Sequence, residues 1–272
     1  MKKRIYNILI IVFAAVFLFS SGMLCWYLLD SKAQNEQYDD LAAMVAQARP
    51  APTVVTPQQP NTTTPQDPWI TINDPETGEP VQVLPEFAQL YTMNNDLVAW
   101  IRIPGTNIDY PVMQTPDAPD YYLRRDFYKK KKTQGCIYAK EECDLASSHN
   151  VTIYGHYMRN GSMFAALGNY KDPLFWENNR LILLDTLTQR NTYEIFAVFT
   201  TTASEGKGFR YHTFIQAESQ QEYDDFINQC KALSLYDTGI TPQYGDRLIT
   251  LSTCDSSRTN GRLVVVARLV AE

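Results

Sequence analysis

Histidine is scarce in this chain, with three in 272 residues. Any chemistry that needs an imidazole must draw on His149, His156 or His212. Cysteine is thin too, at five, and no pair has the Cys-x2–4-Cys spacing of a structural zinc knuckle. The looser run of Cys136 and Cys143 ahead of His149 and His156 does not replace it, so no metal is expected and no cofactor is implied. Nor are the cysteines dense and evenly paired, as a disulfide framework requires, although Cys136 and Cys143 could close a short loop. Positive charge is in deficit: the net charge is −6, which lacks the basic balance of a nucleic-acid binder. The run Lys129-Lys130-Lys131-Lys132 goes against that trend and reads as a solvated loop, with contact to an anionic cell envelope as the alternative. No internal repeat is evident.

Charge is missing altogether from residues 5–29, "IYNILIIVFAAVFLFSSGMLCWYLL". At about 1.5 Å per residue this stretch outreaches a hydrocarbon core of about 30 Å. Lys2, Lys3 and Arg4 precede it and mark the cytoplasmic side. A cleaved signal would have an apolar core of only about 7–15 residues and a small-x-small cleavage site. Leu24 before Cys25 also lacks the small residue a lipoprotein signal needs. The expectation is an uncleaved, single-pass anchor over residues 1–30, with the N-terminus cytoplasmic and everything after Asp30 outside.

Residues 31–79 read as stalk and linker. A polar, helical stretch (31–48) leads into "RPAPTVVTPQQPNTTTPQDP" (49–68), too poor in apolar surface to fold and best read as a semi-rigid spacer. The folded domain is expected at 80–272. "PEFAQLYTMNND" (85–96) offers a short helix with Pro85 in its first turn. Eight β-rich runs follow, at 98–103, 108–113, 135–138, 150–155, 180–184, 191–200, 247–253 and 262–270. Short strands with few helices between them predict a mostly antiparallel, closed or nearly closed barrel. "GSMFAAL" (161–167) reads as a helix capped by Ser162 and ended by Gly168. The insertion before the 247–253 strand contains a capping box, Ser219 with Glu222. After it, Tyr223, Phe226, Ile227, Cys230 and Leu233 recur at helical spacing, which makes Cys230 a core thiol.

Cys254 is placed differently. It ends the run "LITLSTC", and Arg262 opens the next, "RLVVVARLVA", across a polar turn. Antiparallel pairing would bring thiol and guanidinium together at the barrel's rim. A permanent cation beside a cysteine favours thiolate and can stabilise an oxyanion. His156 leaves the end of "NVTIYG" through a glycine and completes a nucleophile–base pair, while His149 reads as a surface residue and His212 belongs to the polar insertion. Each of these residues alone has an ordinary structural explanation, and the trio together points to chemistry. Arg258 is a rival for the arginine role, with Arg262 preferred because a strand holds it more rigidly than a loop.

"TLSTC" with Arg262 eight residues on, "TIYGHYMRNGSMF" (152–164), "WIRIPGTNIDYPVMQ" (100–114) and "YYLRRDF" (121–127) together resemble the sortase family, over most of residues 86–270. The N-terminal anchor and the helical insertion before the cysteine strand are similar to class B. That resemblance implies a mostly β fold, an eight-stranded sortase-type barrel with short helices and that insertion. It implies a membrane-anchored thiol transpeptidase on the outer face of a Gram-positive cell, with Cys254 as nucleophile, His156 as acid/base and Arg262 as stabiliser of the transition state. Its partners would be secreted proteins bearing a sorting motif, cleaved after Thr, and an amine from a peptidoglycan precursor. Asp109, Met113, Tyr154, Ser252 and Thr253 are candidate substrate contacts; class B relatives often carry asparagine where Asp109 stands. Three other readings stay open: a pilin polymerase using a lysine acceptor, a membrane-tethered cysteine hydrolase, and an anchored binding module with an inert thiol.

Overall fold

A computed structural model describes residues 2–49, 69–204, 206–257 and 259–270. The chain divides into two compact units, residues 1–40 and 41–272. Helix α1 (Lys2–Ala48) makes up the first unit, and its last turns belong to the second. It is long and apolar enough to cross a membrane, with a mean hydropathy of 2.6 in its most apolar window. Most of the spacer expected at 49–68 lies outside the described residues; Arg49 does not.

The second unit is a closed eight-stranded barrel, and every β-rich run singled out in the sequence contributes a strand to it. They are β3 (Leu97–Arg102), β4 (Asp109–Met113), β5 (Ile137–Ala139), β6 (Asn150–Tyr154), β7 (Leu181–Thr186), β8 (Arg190–Thr202), β9 (Leu248–Asp255) and β10 (Gly261–Leu269). Around the barrel the order is β10-β8-β7-β3-β4-β5-β6-β9. Pairing is antiparallel except for β4 with β5 and β6 with β9. The β6–β9 contact matters most for the chemistry, because two parallel neighbours deliver their C-terminal ends to the same rim.

The strands form where β-branched and aromatic side chains can bury both faces. In β10, Val264 and Val266 point outward into a cluster with Phe196, Phe199, Phe214 and Phe226, and all six are buried. That outer face is covered by α4 (Gln220–Leu233), whose buried side is Tyr223, Phe226, Ile227 and Cys230, as its spacing predicts. The Phe214 and Phe226 rings stack at 4.0 Å. Ser219 caps the helix by accepting from Glu222 N at 3.3 Å. The reciprocal half of the box differs, because the Glu222 carboxylate takes the N–H of Glu218 instead.

Elsewhere the structure departs from the sequence reading. A short hairpin, β1 (Ile70–Asn73) with β2 (Pro80–Val83), lies within the stretch read as linker. Leu41 and Val45, in the stretch read as stalk, are buried, and Arg49 reaches Asp185 of β7 at 2.7 Å. The predicted helix at 85–96 is a 3-10 turn (Pro85–Phe87) leading into a shorter α2 (Ala88–Met93). It stops where Asn94 turns its amide to Tyr122 Oη and Phe127 O.

The helix read at 161–167 is absent as such. Ser162 bonds Asn160 rather than capping a turn, and Met163 N donates to the Tyr110 hydroxyl on β4. A 3-10 stretch (Phe164–Lys171) then runs straight through Gly168. The barrel contact at Met163, which holds that residue at φ 56°, overrides the local helical pattern. A further helix, α3 (Pro173–Asn178), is capped by Asp172 accepting from Leu174 N.

Candidate active site

Of the eight residues of β9, only Cys254 is exposed; the other seven are buried. Burial pushes the Cys230 thiol well above its ordinary value, and the Cys143 thiol upward too. Both stay protonated and inert at neutral pH. Cys136 and Cys143 are free thiols, so the loop they could have closed is not bridged. The strand-end cysteine is therefore the thiol a reactant can reach in the barrel unit.

Arg262 is the direct cross-strand partner of Cys254 in the β9–β10 ladder, which sets their Cα atoms roughly 4.5–5.5 Å apart. Its Nη1 donates to Gly261 O at 3.0 Å and to Asn260 O at 3.4 Å, which aims the guanidinium along the rim. Arg258, the rival, lies outside the described residues.

His156 reaches the same place from β6. Tyr154 is in register with Ser252 on the parallel strand β9, and Gly155 N donates to Ser252 O at 3.1 Å. His156, two residues past Tyr154, and Cys254, two past Ser252, line the same cleft. His156 Nε2 lies 2.8 Å from Leu123 O. A carbonyl only accepts, so Nε2 carries a proton and Nδ1 is the nitrogen left for other work. The Leu123 carbonyl belongs to a 3-10 turn (Tyr121–Arg124) tied into the barrel by Cys136 N donating to Tyr122 O at 3.0 Å. Gly135 permits that approach, since a Cβ there would lie 2.5 Å from the carbonyl oxygens of Tyr122 and Leu123.

Gly155 has a similar role. A Cβ would lie 2.5 Å from Ile137 Cδ1 and 2.6 Å from Phe164 Cδ2, both on buried side chains. Overpacking of this kind costs about 1–3 kcal/mol. Gly155→Ala is expected to lower the melting temperature by several degrees and to cut turnover more than that loss of folded protein explains, because His156 is the next residue. Thermal denaturation and kcat measured on the same sample check both.

Cys254, His156 and Arg262 together line a cleft of about 340 Å3. Of the candidate contacts, Tyr154, Ser252 and Thr253 line it too, Ser252 and Thr253 as largely buried residues. The other two do not. Met113 is fully buried, out of a peptide's reach. Asp109 accepts a hydrogen bond from the Trp100 indole and is absent from the cleft wall. Both belong to β4, Asp109 as its half-buried first residue and Met113 as its buried last one.

Two further cleft residues carry no signal in the sequence that would place them there. Tyr211 shares a 2.6 Å hydrogen bond with Ser252 on the cleft floor. His212, next to it, lines the same cleft, and burial followed by the nearby cations Arg210, Lys140 and Arg262 lowers its pKa. Asp255 adjoins the cysteine but points elsewhere. Burial raises its pKa, but the Ser257 N–H and the Lys171 ammonium, 3.0 Å away, bring it below its ordinary value. Among the described residues no cluster of metal-ligating side chains occurs.

Residues 101–270 match the family model for the sortase domain. Sortase B of Staphylococcus aureus (strain NCTC 8325 / PS 47) is 31% identical over 191 residues, covering 69% of this chain and 76% of that protein. The chain belongs to the sortase family, class B. It is a sortase-type cysteine transpeptidase. A solved Staphylococcus aureus sortase B–substrate complex superposes with a TM-score of 0.70 at 26% identity, covering 89% of this sortase and 98% of that chain. A sortase B structure complexed with triglycine gives 0.62 at 30%, covering 68% and 86%. The barrel that carries the cleft in this sortase is thus the fold on which those proteins hold a substrate and a glycine peptide.

Proposed function

We propose that Cys254 is the nucleophile of this sortase, His156 its acid/base and Arg262 the group that stabilises the oxyanion. The observation that carries this is the pairing of β9: parallel to β6 on one side and antiparallel to β10 on the other, so that sulfur, imidazole and guanidinium share one cleft.

In the first half-reaction the Cys254 thiolate adds to the carbonyl of a threonine in a sorting signal. Negative charge moves to the carbonyl oxygen, where the Arg262 guanidinium offers donors that need not reorient. His156 gives the proton it took from the thiol to the leaving amine, and the C–N bond breaks to leave a thioester. In the second half an amine attacks that thioester, His156 accepts its proton, and the thiolate departs. With Nε2 bonded to Leu123 O, Nδ1 is the nitrogen assigned to these transfers. Breaking an amide to form a thioester is uphill, which is why leaving-group protonation and oxyanion stabilisation are both needed. Tyr154, Ser252 and Thr253 are assigned to the sorting peptide.

The acceptor is read as an amine of a cell-wall precursor, which fits the relative bound to triglycine. The apolar part of α1 is read as an uncleaved anchor with its N-terminus in the cytoplasm, holding the barrel outside the membrane, where secreted proteins pass. A pilin lysine would be an equally competent acceptor for the chemistry described.

The test uses the full chain in detergent with a peptide library, with and without hydroxylamine. A transpeptidase converts most acyl-enzyme to hydroxamate. If the products stay carboxylic acids at saturating hydroxylamine, the thioester goes to water and the protein works as a hydrolase.

A further inference from the structure

Residues 124–132, "RRDFYKKKK", hold six basic residues and one carboxylate. The whole chain has a net charge of −6, so these nine residues carry +5 and the rest −11. The lysine run, read from the sequence as a solvated loop, is one arm of a tight hairpin. Arg125 and Lys131 pair antiparallel, Asp126 N donates to Lys130 O at 2.9 Å, and Lys132 N donates to Arg124 O at 3.0 Å. Lys129 turns the chain at φ 62°.

The hairpin is fixed from inside. Phe127 is fully buried, and its carbonyl accepts from Asn94 Nδ2 at 2.7 Å. The one carboxylate, Asp126, is buried too, and accepts from Tyr128 N at 3.0 Å and Lys130 N at 2.9 Å. Lys129 reaches Asp96 at 3.1 Å and Glu76 at 3.9 Å. Arg124, Lys130 and Lys131 stay exposed, and none of the three has an ion-pair partner among the described residues.

Folding gives no reason for this arrangement. Cations set opposite each other across an antiparallel pair repel, and here Arg125 faces Lys131 while Arg124 faces Lys132. Tyr128, near the tip, is 41% exposed, with the Lys130 ammonium 5.9 Å from its ring centroid. Lysines around an exposed tyrosine suit a membrane boundary, where the ring sits at headgroup level and the ammoniums meet phosphate. A soluble polyanion would engage the cations and leave the ring unused. The chain also holds a helix long and apolar enough to cross a bilayer.

We propose that the 124–132 hairpin docks on anionic phospholipid headgroups of the membrane that α1 spans. The hairpin starts one residue after Leu123, whose carbonyl holds His156, so docking keeps the catalytic cleft at the membrane face. The proposal rests on α1 being a membrane anchor, and the experiment keeps the two claims apart.

The full chain is incorporated into lipid nanodiscs, either of phosphatidylcholine alone or with phosphatidylglycerol added. Lysines are then acetylated with an N-hydroxysuccinimide ester, and the rate at each is mapped by mass. Lys207, exposed and outside the hairpin, is the internal reference. Relative to it, Lys130 should react roughly five-fold more slowly in anionic than in neutral discs, the scale set by one basic residue near an anionic surface. The difference should vanish at about 1 M salt, where the screening length is about 3 Å. Arg124→Glu/Lys131→Glu keeps Lys130 as the reporter and should bring the two rates together. Each change sets a carboxylate opposite a cation, so the hairpin should stay folded and kcat on a soluble peptide in detergent should match the wild type.

Equal wild-type Lys130 rates in the two discs, or a slowing that the double substitution leaves intact, overturns the docking. So does a Lys130 that ignores lipid charge but slows when polyphosphate is added to neutral discs, which would give the hairpin to an anionic polymer. A chain that elutes apart from both kinds of disc overturns the anchor reading and the docking with it. Elution with the discs at equal Lys130 rates overturns the docking alone.

Discussion

Cys254→Ala is expected to abolish cleavage of a sorting peptide while leaving the protein folded. Removing the nucleophile of an acyl-transfer site costs on the order of 10⁶-fold in turnover, so the variant should be indistinguishable from peptide alone. Stability should change by no more than about 0.5 kcal/mol, because Cys254 is the exposed residue of an otherwise buried strand. Cys143→Ala and Cys230→Ala form the contrast. Their thiols are buried and held protonated, so those changes should affect stability and leave kcat near wild type. Parallel measurements of kcat and melting temperature on the three variants separate a reactive thiol from two packed ones.

Arg262→Lys carries the second large effect, a loss of about 10²–10³-fold in kcat, the size of removing one oxyanion donor. Lysine keeps the charge and loses the planar fork. Arg262 lines the cleft and gives Nη1 to the carbonyls of Asn260 and Gly261, which braces the guanidinium against the rim. An ammonium on a flexible stem has no equivalent of that bracing. The loss should fall on kcat more than on KM, since an oxyanion exists only along the reaction path. Near-full turnover in the lysine variant would mean that charge alone suffices and that the role assigned to the guanidinium is wrong.

The barrel was largely legible in the sequence because its strands are runs of Val, Ile, Leu and aromatics, cut by polar turns. The antiparallel pair of Cys254 with Arg262 followed from the same logic, since a short polar turn between two strong strands leaves few registers. The hairpin β1–β2 was not legible. Its strands are only four residues each and mostly exposed, so they lack the apolar alternation that marks a strand. Leu41, Met44 and Val45 follow Tyr38 at helical spacing, a short apolar stripe that the reading of 31–48 as a polar stalk passed over.

At the site, the side chains were readable and their supports were not. The partner of His156 is a backbone carbonyl, at Leu123, and a carbonyl has no letter in a sequence. Met113 is buried and Asp109 is absent from the cleft wall, because position along a strand does not say which wall of the barrel a side chain serves. The cleft positions of Tyr211 and His212 were hidden for a related reason. The insertion that carries them folds back onto the rim through the contact between Tyr211 and Ser252, 41 residues apart.

The most direct test is to identify the atom that holds the acyl group. The full-length protein is mixed with a peptide library, quenched in acid within the first turnover, digested, and mapped by mass. The account predicts a thioester-linked fragment ending in threonine on Cys254, and none on Cys136, Cys143 or Cys230. An acyl adduct on any other residue, or peptide cleavage that persists undiminished in Cys254→Ala, would contradict it.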